Sequence, residues 1–87
     1  MGSQKPTQGE EEGSFVKVLH DSNPMVDYKF RGLFHYPAPT EDLNITKGQL
    51  LKIVEPLDKS GYYKAETKDG RDGLVPSNYV EQTDESF

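Results

Sequence analysis

The sequence predicts an all-β fold, a small barrel or sandwich of five short strands. Three observations carry this. Stretches rich in β-formers recur from residue 28 onward, Leu50-Leu51-Lys52-Ile53-Val54 and Tyr62-Tyr63-Lys64-Ala65-Glu66-Thr67 foremost. Turn signals separate them at close intervals: Pro37-Ala38-Pro39-Thr40, Lys47-Gly48 and Lys68-Asp69-Gly70-Arg71. No helical periodicity longer than one turn is evident. A closed barrel suits so small a chain, because closure removes exposed strand edges.

The elements follow in order. Residues 1–13 hold no large apolar side chain after Met1 and cannot bury enough surface to offset ordering; a disordered acidic tail is expected there. In residues 14–28, Phe15 and Leu19 share a side on a helix, whereas Val16 and Val18 share a face of a strand. Five residues leave both open, and the expectation is an extension that is weakly ordered or packed on the barrel. Asp21-Ser22-Asn23-Pro24 is a turn. Phe30, Gly32 and Phe34 then alternate with Arg31, Leu33 and His35, the period of a strand. Leu43 and Ile45 are spaced by two. Glu55 to Gly61 is a loop. Asp69-Gly70 marks a tight hairpin. Gly73-Leu74-Val75-Pro76 is a strand stopped by proline. Ser77-Asn78-Tyr79 has room for one helical turn, and Val80-Glu81 closes the set. The expected core is Leu33, Leu43, Ile45, Leu51, Ile53, Ala65, Val75 and Val80.

Composition narrows the function. The chain has 87 residues, 32% apolar and 29% charged, which allows one small domain. It has no cysteine, so disulfides, thiolate metal sites and cysteine nucleophiles are excluded. Two histidines without cysteine leave a structural zinc site short of ligands, and no metal site or cofactor is expected. His35 and His20 are read as solvated residues. No apolar run approaches the roughly 18 residues of a membrane span, and no signal peptide is evident. The net charge is −5. Residues 29–81 hold eight acids and eight bases, so the surplus sits in the flanks. A nucleic-acid reader should show a basic stripe, and the largest basic cluster is only Lys29-Phe30-Arg31. An enzyme is not expected, since no acid pair falls in a predicted enclosed cleft and no cofactor motif is present.

Several segments, in order, match one family. Gly32-Leu33-Phe34-His35-Tyr36 looks like the Ala-Leu-Tyr-Asp-Tyr opening of a Src homology 3 (SH3) domain. Glu41-Asp42-Leu43-Asn44-Ile45-Thr46-Lys47-Gly48 resembles its acidic loop end, core pair and diverging turn. Gly61-Tyr62-Tyr63-Lys64-Ala65 resembles its Trp-Trp strand. Gly70 to Val80 resembles its closing signature almost residue for residue. The resemblance covers about residues 29–82 and leaves 83–87 as a C-terminal tail. It implies a five-stranded, partly open SH3-type barrel with RT, n-Src and distal loops and a single 3₁₀ turn.

It also implies a non-catalytic module that binds proline-rich PxxP segments in the polyproline II conformation. Such a ligand has three residues per turn and unsatisfied outward carbonyls, so its receptor needs flat apolar slots and a few donors. Phe34, Tyr36, Pro76 and Tyr79 match the slot positions. Tyr36, Tyr79 and Asn78 keep polar groups for ligand carbonyls. Asp42 matches the acidic position that pairs with a flanking Arg or Lys, and Glu41 beside it, with Glu55 or Asp58 in the n-Src loop, is expected to add to that field. Tyr62 stands where the family carries its groove tryptophan, and Leu74 where an aromatic is common. Phe34 lacks the family hydroxyl, and a short stretch from Tyr36 to Leu43 predicts a tight RT loop. The implied setting is a larger cytoplasmic signalling, scaffold, adaptor, cytoskeletal or trafficking protein, the domain being monomeric alone. Pro37-Ala38-Pro39 lies inside a loop and cannot serve as ligand. The alternative kept open by the missing tryptophan and the Phe15–Leu19 patch is an atypical SH3 domain that binds a non-proline surface, its own flanking segment or a neighbouring domain.

Overall fold

The computed structural model describes residues 10–35 and 37–87. Five strands form one sheet: β1 (Phe15–Val18), β2 (Leu50–Glu55), β3 (Tyr62–Glu66), β4 (Asp72–Pro76) and β5 (Val80–Gln82). Their order across the sheet is β4-β3-β2-β1-β5, with every neighbouring pair antiparallel. A short helix, α1 (Pro24–Phe30), lies between β1 and β2, and a 3₁₀ turn (Ser77–Tyr79) separates β4 from β5. The expected all-β barrel with one 3₁₀ turn is thus the fold.

The core explains the strands. Val16 and Val18 point inward from β1, while Phe15 and Lys17 are half-exposed. Leu51 and Ile53 do the same in β2, Tyr63 and Ala65 in β3, Val75 in β4 and Val80 in β5. Leu43 and Ile45 complete the cluster from the connection between β1 and β2. Period-two burial on a twisted sheet is what β-branched residues favour. At the distal hairpin the only buried polar side chain among the described residues, Thr67, accepts from the Arg71 N–H at 3.0 Å and donates its hydroxyl to Asp69. That bond, ahead of the Arg71 guanidinium, holds the Asp69 carboxyl below its ordinary range.

The N-terminal third corrects the sequence reading. Phe15–Val18 is a central strand rather than an extension, because its backbone pairs on both sides: Val16 opposite Leu51 and Gln82, Lys17 opposite Leu50 and Glu81. The two valines, buried on one face, decide for strand over helix. The barrel therefore starts near residue 15 and not at 29. The strand expected at Phe30–Phe34 does not form. Its place is taken by α1 and the turn after it, since Asn23 caps Val26, Pro24 sits in the first turn and Gly32 ends the segment at φ +67. Phe30 and Phe34 are exposed, so their alternation marks no buried face, and Leu33 is half-exposed rather than core. The connection from β1 to β2 is accordingly long and holds a helix, where a tight RT loop was expected.

The flanks are also engaged. Of the segment expected to be a disordered tail, residues 1–9 lie outside the described residues. Gly13 donates to the Ile53 carbonyl at 2.8 Å, and the Glu10 N–H donates to the Tyr63 hydroxyl at 2.8 Å. The 83–87 tail folds back on β1: Glu85 pairs with Lys17, and the Phe87 ring meets Phe15 edge-on at 5.0 Å.

Candidate functional site

One face of the barrel carries a solvent-open trough of about 640 Å³. Its walls are built by hydrogen bonds that the sequence supplies locally. At one end, Asp58 closes the loop before β3. Its carboxylate accepts from the Ser60 N–H at 2.9 Å, the Ser60 hydroxyl at 2.7 Å and the Tyr62 N–H at 2.9 Å. These bonds, the Tyr62 amide foremost, hold the Asp58 carboxyl below its ordinary range. They fix Tyr62 at the start of β3, directly opposite Pro76 of β4. The Ser77 N–H donates to the Gly61 carbonyl at 2.9 Å and sets the 3₁₀ turn against the same loop.

The opposite wall is the chain that follows β1. The Leu19 N–H donates to the Tyr79 carbonyl at 2.7 Å, and the His20 ring meets the Tyr79 ring edge-on at 5.5 Å. Asp21 is held by the Lys47 N–H at 2.7 Å. Asp42 arrives on the return arm of the long connection. There the Leu43 N–H donates to the Leu74 carbonyl at 2.9 Å, and the Leu74 N–H donates to the Glu41 carbonyl at 2.8 Å. Partial burial, with repulsion from Glu41 second, pushes the Asp42 carboxyl above its ordinary range. No hydrogen bond or ion pair engages that carboxylate among the described residues.

The structure brings together Asp42, Tyr62, Leu74, Pro76, Asn78 and Tyr79, all of which line the trough. It does not bring Phe34 there. That ring is 67% exposed and stands edge-on to Tyr28 at 5.7 Å, on the α1 excursion. Glu41 borders a neighbouring depression with Glu55, Lys64 and Asp72, which shares Leu74 with the trough. Tyr36 lies outside the described residues. The sequence reading missed Asp21, Ser22, Pro24 and Asp27 as wall residues, and it set His20, which meets Tyr79, aside as a solvated residue. The signal was the Val16/Val18 alternation running straight into the Asp-Ser-Asn-Pro turn. Three acidic residues, Asp21, Asp27 and Asp42, line the trough, and no lysine or arginine is among its described lining residues. An open trough lined by acids does not enclose a small molecule from water.

The profile of the variant SH3 domain matches residues 15–82, the same span as the sheet. The chain belongs to the SH3 family. Among curated proteins it is similar to human RIMS-binding protein 3A, 45% identical over 49 residues, which is 56% of this chain and 3% of that protein. It is also similar to mouse peripheral-type benzodiazepine receptor-associated protein 1, 43% identical over 44 residues, 51% of this chain and 2% of that one. The SH3 chain in hand thus spans a few hundredths of these relatives. Among solved structures, the yeast Nbp2p SH3 domain in complex with a peptide superposes with TM-score 0.62 at 18% identity, covering 86% of this chain and 92% of that one. The C-terminal SH3 domain of myosin IB from Entamoeba histolytica, also bound to a peptide, gives TM-score 0.58 at 23% identity over 85% and 98%. At such identities the likeness is one of fold.

Proposed function

We propose that this SH3 domain is a non-catalytic module that binds a proline-rich segment in the polyproline II conformation, flanked by Arg or Lys. It acts as a monomeric unit within a larger cytoplasmic signalling, scaffold or trafficking protein. The observation that carries the reading is the trough itself: Tyr62, Pro76 and Tyr79 offer adjoining apolar faces, and the Asp42 carboxylate, with no ion-pair partner among the described residues, lies beside them. Ligand prolines lie between the rings, Asn78 and the tyrosine hydroxyls face ligand carbonyls, and Asp42 takes the basic flank. Two SH3 neighbours of the same fold were solved with peptides bound, which fits this use. The Phe15–Leu19 patch no longer supports a groove occupied by the 14–28 segment, since β1 belongs to the sheet and residues 21–24 line the trough; the missing tryptophan remains the motive for a non-proline partner.

The test is a ¹⁵N-resolved titration of the whole chain with a proline-rich peptide carrying one terminal arginine. Amide shifts should centre on Asp42, Tyr62, Ser77 and Tyr79; a folded chain whose trough amides stay still would end the reading. Asp42→Asn should weaken binding about five-fold, an amount set by one partly exposed ion pair. The charged carboxylate is the binding form. Affinity should therefore be full at neutral pH and fall as the pH drops through the raised Asp42 titration, above the range where an ordinary aspartate would respond. Asp42→Asn should flatten that part of the profile, and a pH profile identical in both proteins would remove Asp42 from the site.

Tyr62→Trp should act in the other direction. The indole adds stacking area and an N–H donor on a wall already held by Asp58, worth about 1–3 kcal/mol. Peptide affinity should rise about ten-fold in calorimetry, and no gain would mean that ligand does not pass over Tyr62.

A further inference from the structure

We propose that the outer face of α1 is a second docking surface. It would continue the groove and receive a partner segment that runs on from the proline-rich core with apolar and acidic side chains. The inference rests on the groove reading above. Of the large apolar side chains exposed among the described residues, three lie on this one excursion: Val26 at 58%, Phe30 at 87% and Phe34 at 67%. Val26 and Phe30 are four residues apart and share a side of the helix. Phe34 returns to lie edge-on against Tyr28. The helix has seven residues and buries none of them fully, so the fold spends little of this apolar surface on itself. Apolar patches of this kind on a small domain mark contact surfaces.

Continuity and charge select the occupant. Pro24 and Asp27 of α1 line the trough, so a chain leaving the trough on that side passes directly onto the helix. The sign of the surface reverses there. The trough presents Asp21, Asp27 and Asp42, whereas Lys29 and Arg31 flank Phe30 on the excursion. Arg31 also reaches Asp27 at 3.6 Å, an exposed pair that is weak on its own. The matching partner segment has a basic residue at the proline core, then apolar side chains to cover Val26 and Phe30, then carboxylates for Lys29 and Arg31. A two-fold contact between copies through Phe30 would set Lys29 and Arg31 against their own equivalents. An anionic membrane would meet the trough carboxylates beside the helix.

The experiment compares the proline-rich peptide with the arginine flank against two longer peptides. Each of these carries a Leu-Glu-Phe-Glu extension, one at either end. The full chain should bind one extended peptide about ten-fold tighter than the core peptide, with new shifts at Val26 to Phe34. Phe30→Ala should abolish that gain and leave core binding unchanged; the side chain is exposed, so folding is not at stake. Lys29→Glu should reduce the gain. Core binding with no gain from either extension would overturn this inference alone, as would a gain that survives Phe30→Ala. Loss of core binding as well would overturn the groove reading with it. A concentration-dependent dimer in sedimentation, dissolved by Phe30→Ala, would give the face to a second copy and also overturn the proposal.

Discussion

A chain that starts at residue 29 should stay unfolded in water, while one that starts at residue 10 folds cooperatively. Among the described residues β1 is the only ladder partner of β5 and one of two partners of β2. Its loss frees β5 and exposes the edge of β2. It also removes Val16 and Val18, which are fully buried, at about 1.5–3 kcal/mol each. The Leu19 amide that tethers Tyr79 goes too. Small domains hold a net stability near the low end of about 5–15 kcal/mol, so these losses together exhaust it. The check is amide dispersion and a thermal melt of both chains. A dispersed spectrum and a cooperative melt from the shorter chain would show that β1 is dispensable.

Gly73→Ala should be the most damaging single substitution outside the apolar core. A β-carbon at Gly73 would stand 2.9 Å from the Glu41 carbonyl oxygen, 3.1 Å from the Leu43 β-carbon and 3.2 Å from the Leu43 nitrogen. Two of these are backbone atoms, in the arm locked to Leu74 by hydrogen bonds of 2.8 and 2.9 Å. The methyl cannot be accommodated by turning a side chain; the arm itself has to move. Overpacking of this kind costs about 1–3 kcal/mol, or a fall in Tm of roughly 5–20 °C for a domain of this size. Because the same arm carries Asp42, affinity for the arginine-flanked peptide should fall along with stability. An unchanged melt would mean that the arm is free to shift. A lowered melt with unchanged affinity would separate Asp42 from the arm's position.

The C-terminal half of the domain was legible because each of its features has a local cause. Asp69-Gly70 makes the distal hairpin, Pro76 stops β4, and Leu51, Ile53, Ala65, Val75 and Val80 alternate into the core as their spacing requires. Of the eight expected groove residues that are described, six lie in the trough; strand register places Tyr62, Leu74 and Pro76, and the 3₁₀ turn that follows β4 places Asn78 and Tyr79. The N-terminal half misled for an equally physical reason. Phe30, Gly32 and Phe34 present a cleaner alternating pattern than Phe15 to Val18 do, yet they bury nothing. Periodicity reports a buried face only where tertiary partners exist, and those of β1 are distant: Leu51 and Val80 lie far along the chain. The cap at Asn23 and the proline at position 24 were legible helix-start signals, but the seven-residue helix they open is too short to show a period. Thr67 and Tyr63 were missed as buried positions because partners satisfy their polar atoms: Arg71, across the distal hairpin, for Thr67, and Glu10, which only the folded chain brings near, for Tyr63.

The pairing of β1 with β5 also sets how the domain bears load. The two strands run antiparallel, and the Thr83 N–H donates to the Phe15 carbonyl at 3.3 Å, so the chain enters and leaves the sheet at the same corner. A pull on the two flanks therefore does not shear the ladder along its length. It peels the strands apart one hydrogen bond at a time, beginning at Phe15 and passing to Val16 opposite Gln82, then Lys17 opposite Glu81. In a long protein under tension this unit would unzip at low force, ahead of any neighbour whose terminal strands are loaded in parallel.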